Sequence, residues 1–285
     1  MGPMNVPSAL KVLEVNGSEQ TRKTYGRHGV RGAMFGVPAS VLAKLAKQIG
    51  RDHEIACALW GTGIHEARLL ATMTADPARL SAREIDAWRR SSENHVVGEA
   101  LARLVAQVPR GREIVDQWID SGDELTSSSG WTAMYSQVVG DGNVGPELTR
   151  SELELTGLLV RIEREIHAAP NRTRYAMNSA LIGIGMRSAA MEQLAVAAAE
   201  RIGPVSVDHG LTDCKTPDAA NYIPKARKYA AARQARMPRK VSVTPAVTIP
   251  PSPTRVAKPL APKLAPKVLA KSVRKPAAKK KAALR

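Results

Sequence analysis

Residues 34–77 read MFGVPASVLAKLAKQIGRDHEIACALWGTGIHEARLLATMTADP, and the spacing of their apolar residues is the strongest signal in the chain. Phe35, Val37, Val41, Leu42, Leu45 and Ile49 recur near the i, i+3, i+4, i+7 spacing of one helix face. Ile55, Ala56, Leu59 and Trp60 continue the pattern in a short second helix. Ala67, Leu70, Ala71 and Met73 form a third, stopped by Asp76-Pro77. Pro38 suits the first helical turn, where a missing N–H is harmless. Gly50 and the Gly61/Gly63 pair fall where helix ends need left-handed residues. Antiparallel helix pairs joined by turns this short are the unit of a helical-repeat protein, so the expected fold is all-α, an α-α solenoid.

The rest of residues 1–236 continues the pattern. Residues 1–24 read as a partly disordered leader with one helix from Ser8 to Val15. A helix runs from Ser81 to Ser91, with Ser81 and Glu84 as a capping box. Others span Glu93–Gln107, Pro109 to Ile119, and Ser127–Val139. Gly140 to Pro146 is a loop. Thr149 and Glu152 read as a second capping box, opening a helix to about His167. Further helices span Arg172–Arg187 and Ala189–Ile202, and Thr216-Pro217-Asp218 reads as N-cap, N1 and N2 of a last one. No segment of useful length has the period of a strand. The expected organisation is a leader (1–24), a helical-repeat domain (25–236) and a tail (237–285).

Composition narrows the partners. The chain has 285 residues, a net charge of +16 and a single phenylalanine, Phe35. Ala, Leu and Val must therefore fill the core, which suits close helix contacts. Of the 42 Lys and Arg, 13 lie between Met237 and Arg285 with no acid among them, so residues 1–236 hold 29 basic against 26 acidic side chains. The argument for an anionic polymer rests mainly on the tail. That tail, PRKVSVTPAVTIPPSPTRVAKPLAPKLAPKVLAKSVRKPAAKKKAALR from Pro238, has too many prolines and lysines for a packed core. It reads as a disordered arm contacting DNA non-specifically, with Lys279, Lys280 and Lys281 as its densest charge; an arm that only aids solubility is the alternative. Two cysteines, Cys57 and Cys214, cannot build a disulfide framework, and Cys57 reads as a small core residue. There is no 18-residue apolar run and no signal-peptide pattern. The expectation is a cytoplasmic, nucleoid-associated monomer with no membrane contact.

Phe35-Gly36-Val37, Leu45-Ala46-Lys47, Leu59-Trp60 and His65-Glu66-x-Arg68-x-x-Ala71 together resemble the DNA alkylation repair family, the AlkD-like proteins built from HEAT-like helical pairs. The resemblance runs from about Tyr25 to Tyr229. It implies a HEAT-like superhelix whose concave surface grips duplex DNA, and a glycosylase that releases purines alkylated at N3 or N7. Such a base is cationic and its glycosidic bond weakened, so a carboxylate and electron-rich aromatic faces suffice. The family places an aromatic residue and an Asp four residues apart on one helix face, with an Arg and a second Trp from neighbouring repeats. By that resemblance, His95 stands at the aromatic position and Glu99 at the Asp position, making both candidate catalytic residues. Met134 stands near the Arg and Ser179 near the second Trp. Glu66 and Arg68 are expected to tie one helix pair to the next. The alternative for Glu99 is a solvated helix residue facing Arg103, and for His95 a partly buried polar residue.

Candidate DNA contacts lie elsewhere too. Arg22, Lys23, Arg27, His28 and Arg31 cluster before the first repeat. Arg172 and Arg174 open the penultimate repeat. In 208–218, Thr216-Pro217-Asp218 at a helix start offers free N–H groups to a phosphate, with Lys215, Thr216, Lys225, Arg227 and Lys228 as contacts. A turn holding the last helices together is the alternative. Asp208, His209, Asp213 and Cys214 lack the spacing of a metal site, and no metal or cofactor is expected. Three functions remain open: a glycosylase acting through Glu99, a non-excising DNA-binding protein that recognises damaged or branched DNA, and a scaffold for a protein partner.

Overall fold

A computed structural model describes residues 4–140 and 145–236. Among them are thirteen α-helices and no strand. They are α1 (Val6–Val15), α2 (Glu19–Arg27), α3 (Ala39–Ile49), α4 (His53–Gly61), α5 (His65–Thr74), α6 (Ala82–Ser91) and α7 (His95–Val105). After these come α8 (Gly111–Ile119), α9 (Glu124–Val139), α10 (Glu152–Glu165), α11 (Asn171–Gly185), α12 (Ala189–Ile202) and α13 (Ala219–Arg236). From α3 onward the odd-numbered helices lie side by side in chain order, each against the next, and the even-numbered helices back them. This is the helical-repeat arrangement expected from the recurring apolar faces, and the HEAT-like one that the family resemblance implies. No helix of the described residues is long and apolar enough to cross a membrane.

With so few aromatic side chains, the layers close on small residues. Gly130 is the clearest case. A Cβ there would lie 2.5 Å from the backbone nitrogen of Ile119 and 2.8 Å from the carbonyl carbon of Trp118, so only glycine lets α9 come this close to α8. The aromatic residues that do exist are placed at joints between pairs. Trp60 of α4 and Trp88 of α6 stack with ring centroids 4.2 Å apart. The Trp60 indole N–H donates to Ser91 Oγ at 3.0 Å.

Several local expectations change. Within residues 4–24, expected as a partly disordered leader with one helix, α1 is formed and α2 begins, and Ala9 and Leu13 are wholly buried. The apolar face of α1 packs on α3, α4 and α5 and so completes the first repeat. Phe35 and Val37 precede α3 rather than belonging to it, and Pro38 is its N-cap residue, not a first-turn residue. The capping box at 81–84 forms as expected. The second one is not Thr149/Glu152 but Ser151/Glu154, because Thr149 ends a short 3-10 turn whose carbonyl at Pro146 accepts the Thr149 hydroxyl. Helix α9 begins three residues before Ser127, capped by Asp123, whose side chain accepts from Thr126 N–H at 2.8 Å. The tail lies outside the described residues.

Candidate nucleic-acid interface

Two halves of the opening stretch meet at Glu66, which is wholly buried on α5. Its carboxylate accepts the backbone N–H groups of Phe35 (3.0 Å), Gly36 (2.6 Å) and Val37 (3.1 Å). Three successive N–H groups can converge on one carboxylate only where the backbone turns sharply. Gly36 makes that turn at φ 81°, and a Cβ there would lie 2.3 Å from the Ser18 carbonyl oxygen. Arg68 reaches the other way. Its guanidinium donates to the Ser91 carbonyl at 2.9 Å and lies 5.6 Å above the Trp60 ring. Glu66 and Arg68 therefore clasp the incoming chain on one side and the next pair on the other. His65 packs edge-on to Tyr25 at 4.7 Å, with both ring nitrogens buried and unpaired. These motif residues build the scaffold.

The cleft lies further along, on the odd-numbered layer. It encloses about 330 Å³ between Glu99 and Arg103 of α7, Thr132, Tyr135 and Ser136 of α9, Tyr175 and Ser179 of α11, and Tyr222 near the start of α13. The three serine and threonine hydroxyls bond to carbonyls one turn back on their own helices, at Ser128, Thr132 and Tyr175. What the cleft presents is thus an ion pair framed by three tyrosine rings. Glu99 faces Arg103 at 3.6 Å, and the Arg103 guanidinium also donates to the Glu99 carbonyl at 3.3 Å. Burial pushes the Glu99 carboxyl above its usual range, against the opposing pull of Arg103 and Arg172. His95 sits one turn earlier on α7, and burial, reinforced by Arg172 and His28, drives its pKa down to about 4. Its imidazole is neutral at physiological pH and would not repel a cationic base.

Arg172, at the start of α11, lies close enough to act electrostatically on Glu99, His95 and Tyr175, and its backbone N–H donates to Glu124 at 2.6 Å. Sequence reasoning grouped Arg172 with phosphate contacts and missed its link to α7. Helix-start arginines give no long-range signal, so only the packing of α11 beside α9 reveals it. Met134 is corrected. It is wholly buried and points into the core, whereas α9 offers Thr132, Tyr135 and Ser136 to the cleft. Ser179 does line the cleft, as expected for its position.

The segment before α13 is strapped rather than open. Asn171 donates to the Asp208 carbonyl and accepts from its N–H, both at 2.7 Å. Arg174 donates to the carbonyls of Ser206, His167 and Ala169, and Asn178 donates to that of Pro217. His209 and the Thr216 hydroxyl pair at 3.0 Å. Helix α13 starts at Ala219, and Asp218 accepts from Asn221 N–H at 3.2 Å, so the N-cap is Asp218 rather than Thr216. A carboxylate already occupies that helix end, which disfavours a phosphate. Arg227 pairs with Glu192 at 2.7 Å and donates to the Met186 carbonyl. Arg174, Thr216 and Arg227 thus hold the last repeat together. Lys215, Lys225 and Lys228 remain exposed. Lys279, Lys280 and Lys281 lie outside the described residues.

The family model described as DNA alkylation repair enzyme matches residues 9–223. The chain belongs to the DNA alkylation repair family. An uncharacterized protein of Listeria innocua is 29% identical over 226 residues, covering 76% of this chain and 94% of that protein. An uncharacterized protein of Listeria monocytogenes matches to the same extent, 29% over 226 residues. A solved structure superposes with a TM-score of 0.71 and 28% identity, over 80% of this chain and 95% of its own. That protein is described as one of a new family related to the HEAT-like repeat DNA glycosylases, with affinity for branched DNA structures. The family match begins within α1, in keeping with the packing of that helix on the first repeat.

Proposed function

We propose that this member of the DNA alkylation repair family binds duplex or branched DNA along its odd-numbered helix layer and does not excise bases. One observation carries the reading: the Glu99 carboxylate in the cleft already faces a guanidinium, Arg103, at 3.6 Å. A carboxylate whose charge is offset this way is poorly placed to stabilise an oxocarbenium ion. The same cleft suits an unpaired nucleotide at a junction. Tyrosine rings offer stacking faces to any base, and Arg103 offers charge to its phosphate. The basic tail would add backbone contacts independent of sequence.

Anisotropy titrations with a labelled duplex and a labelled four-way junction test this. Tighter binding to the junction is expected, lost on Tyr175→Ala and Arg103→Ala together. Equal affinity for both substrates, unchanged in the double variant, refutes the use of this cleft. The presence of Glu99 on the cleft wall beside Tyr175 supports a second reading, a glycosylase for alkylated purines. Incubation with methylated duplex DNA decides between them: release of 7-methylguanine or 3-methyladenine by the wild type and not by Glu99→Gln would establish the glycosylase.

A further inference from the structure

Behind the cleft layer, α4 and α6 bring three chemically distinct ligands together. His53 and Cys57 are four residues apart on one face of α4, and Glu84 comes from the first turn of α6. His53 Nε2 lies 3.4 Å from Glu84 Oε1, Cys57 Sγ lies 3.6 Å from His53 Nε2, and Cys57 Sγ lies 3.6 Å from Glu84 Oε1. Zinc binds imidazole, thiolate and carboxylate at about 2.0–2.1, 2.3 and 2.0–2.2 Å in tetrahedral geometry. Those bond lengths set tetrahedral edges of about 3.4 Å for N···O and about 3.6 Å for both N···S and S···O. The three observed separations match all three edges. Hydrogen bonding alone accounts less well for the His53–Glu84 separation, since an N–H···O contact normally closes to about 2.9–3.0 Å.

We propose that His53, Cys57 and Glu84 form a binding site for a thiophilic divalent cation of the zinc class, with water as fourth ligand. The donor set, one soft thiolate with one imidazole and one carboxylate, suits zinc better than magnesium or calcium. Glu84 is held in place for the task. Its other oxygen, Oε2, accepts the Ser81 N–H at 2.9 Å in the capping box, which leaves Oε1 turned toward α4. The His53 side chain is 8% exposed and that of Glu84 36%, so the site is walled on the α4 side and reachable by solvent past α6. On binding, the Cys57 thiol proton passes to solvent and the thiolate joins the metal. The cation would staple one helix pair to the next on the layer opposite the cleft. The carboxylate reaches the site from 27 residues beyond Cys57, so the spacing of ligands along the chain resembles no common zinc motif.

The untagged full-length protein, stripped with a chelator, is titrated with cobalt(II) chloride. Residues 237–285 contain no His, Cys, Asp or Glu, so the tail cannot supply a competing site. The expected result is a thiolate-to-cobalt charge-transfer band saturating at one equivalent, abolished by zinc chloride, lost in Cys57→Ser and retained in Cys214→Ser. Glu84→Gln preserves the capping box, since Gln serves at that position. It should fold normally while weakening cobalt binding more than about tenfold. No band in the wild type would overturn the assignment. So would a band that survives Cys57→Ser and disappears in Cys214→Ser, or full affinity in Glu84→Gln.

Discussion

Replacing Glu66 tests whether the family motif is a scaffold clasp. In Glu66→Ala, three backbone donors lose their acceptor, and those of Gly36 and Val37 are fully buried. Each buried donor left unsatisfied costs about 1–3 kcal/mol. Water entering the space freed by the side chain recovers part of that. The expected loss is about 3–5 kcal/mol, a large share of the roughly 5–15 kcal/mol that holds a typical domain together. Glu66→Gln separates charge from shape. Its carbonyl oxygen can keep the two bonds to Gly36 and Val37, but its amide nitrogen then faces the Phe35 N–H, donor against donor. A loss of about 1–3 kcal/mol is expected. Urea unfolding followed by circular dichroism measures both, with the m-value confirming that the same structure unfolds. The predicted order of stability is wild type, then Gln, then Ala. A Glu66→Ala protein within about 1 kcal/mol of wild type at unchanged m would refute the clasp, because buried donors cannot lose a shared carboxylate so cheaply.

Gly130→Ala should destabilise by about 1–3 kcal/mol, because its Cβ meets the backbone of α8, which cannot swing aside; thermal melting reads this, and a neutral result would mean α8 and α9 can separate without cost. His95 titrates near 6.5 when unfolded and about 4 when folded. Below pH 6.5 the unfolded chain binds the extra proton, so stability falls as pH drops from about 6.5 to about 4. His95→Gln should flatten that part of the stability profile, and an unaltered profile would show that His95 is not the group responsible. Deleting residues 238–285 should weaken binding to every DNA sequence and lessen the slope of log affinity against log salt, by about 0.9 for each phosphate that the tail neutralises. An unchanged slope would exclude the tail from the DNA interface.

The sequence alone carried the repeat architecture, because apolar period, helix stops and short turns are local features that survive without neighbours. Most of residues 34–77 could be divided into helices by eye, and Glu66 and Arg68 could be read as ties between pairs. What it left undecided depends on residues far apart in the chain meeting in space. The amphipathic α1 looks like a loose leader until α3, α4 and α5 are there to cover Leu13. Met134 and Tyr135 are adjacent, and only the rotation of α9 against α8 and α11 sends one into the core and the other into the cleft. Thr216 reads as the N-cap and Asp218 as the second helical residue, and only the pairing of the Thr216 hydroxyl with His209 and the Asn221 N–H on Asp218 move the cap to Asp218. Arg172 joins Glu99, and Glu84 joins Cys57, across separations that no local spacing encodes. Local periodicity determines which segments become helices, whereas side-chain constellations arise where separate helices meet, and that the packed structure decides.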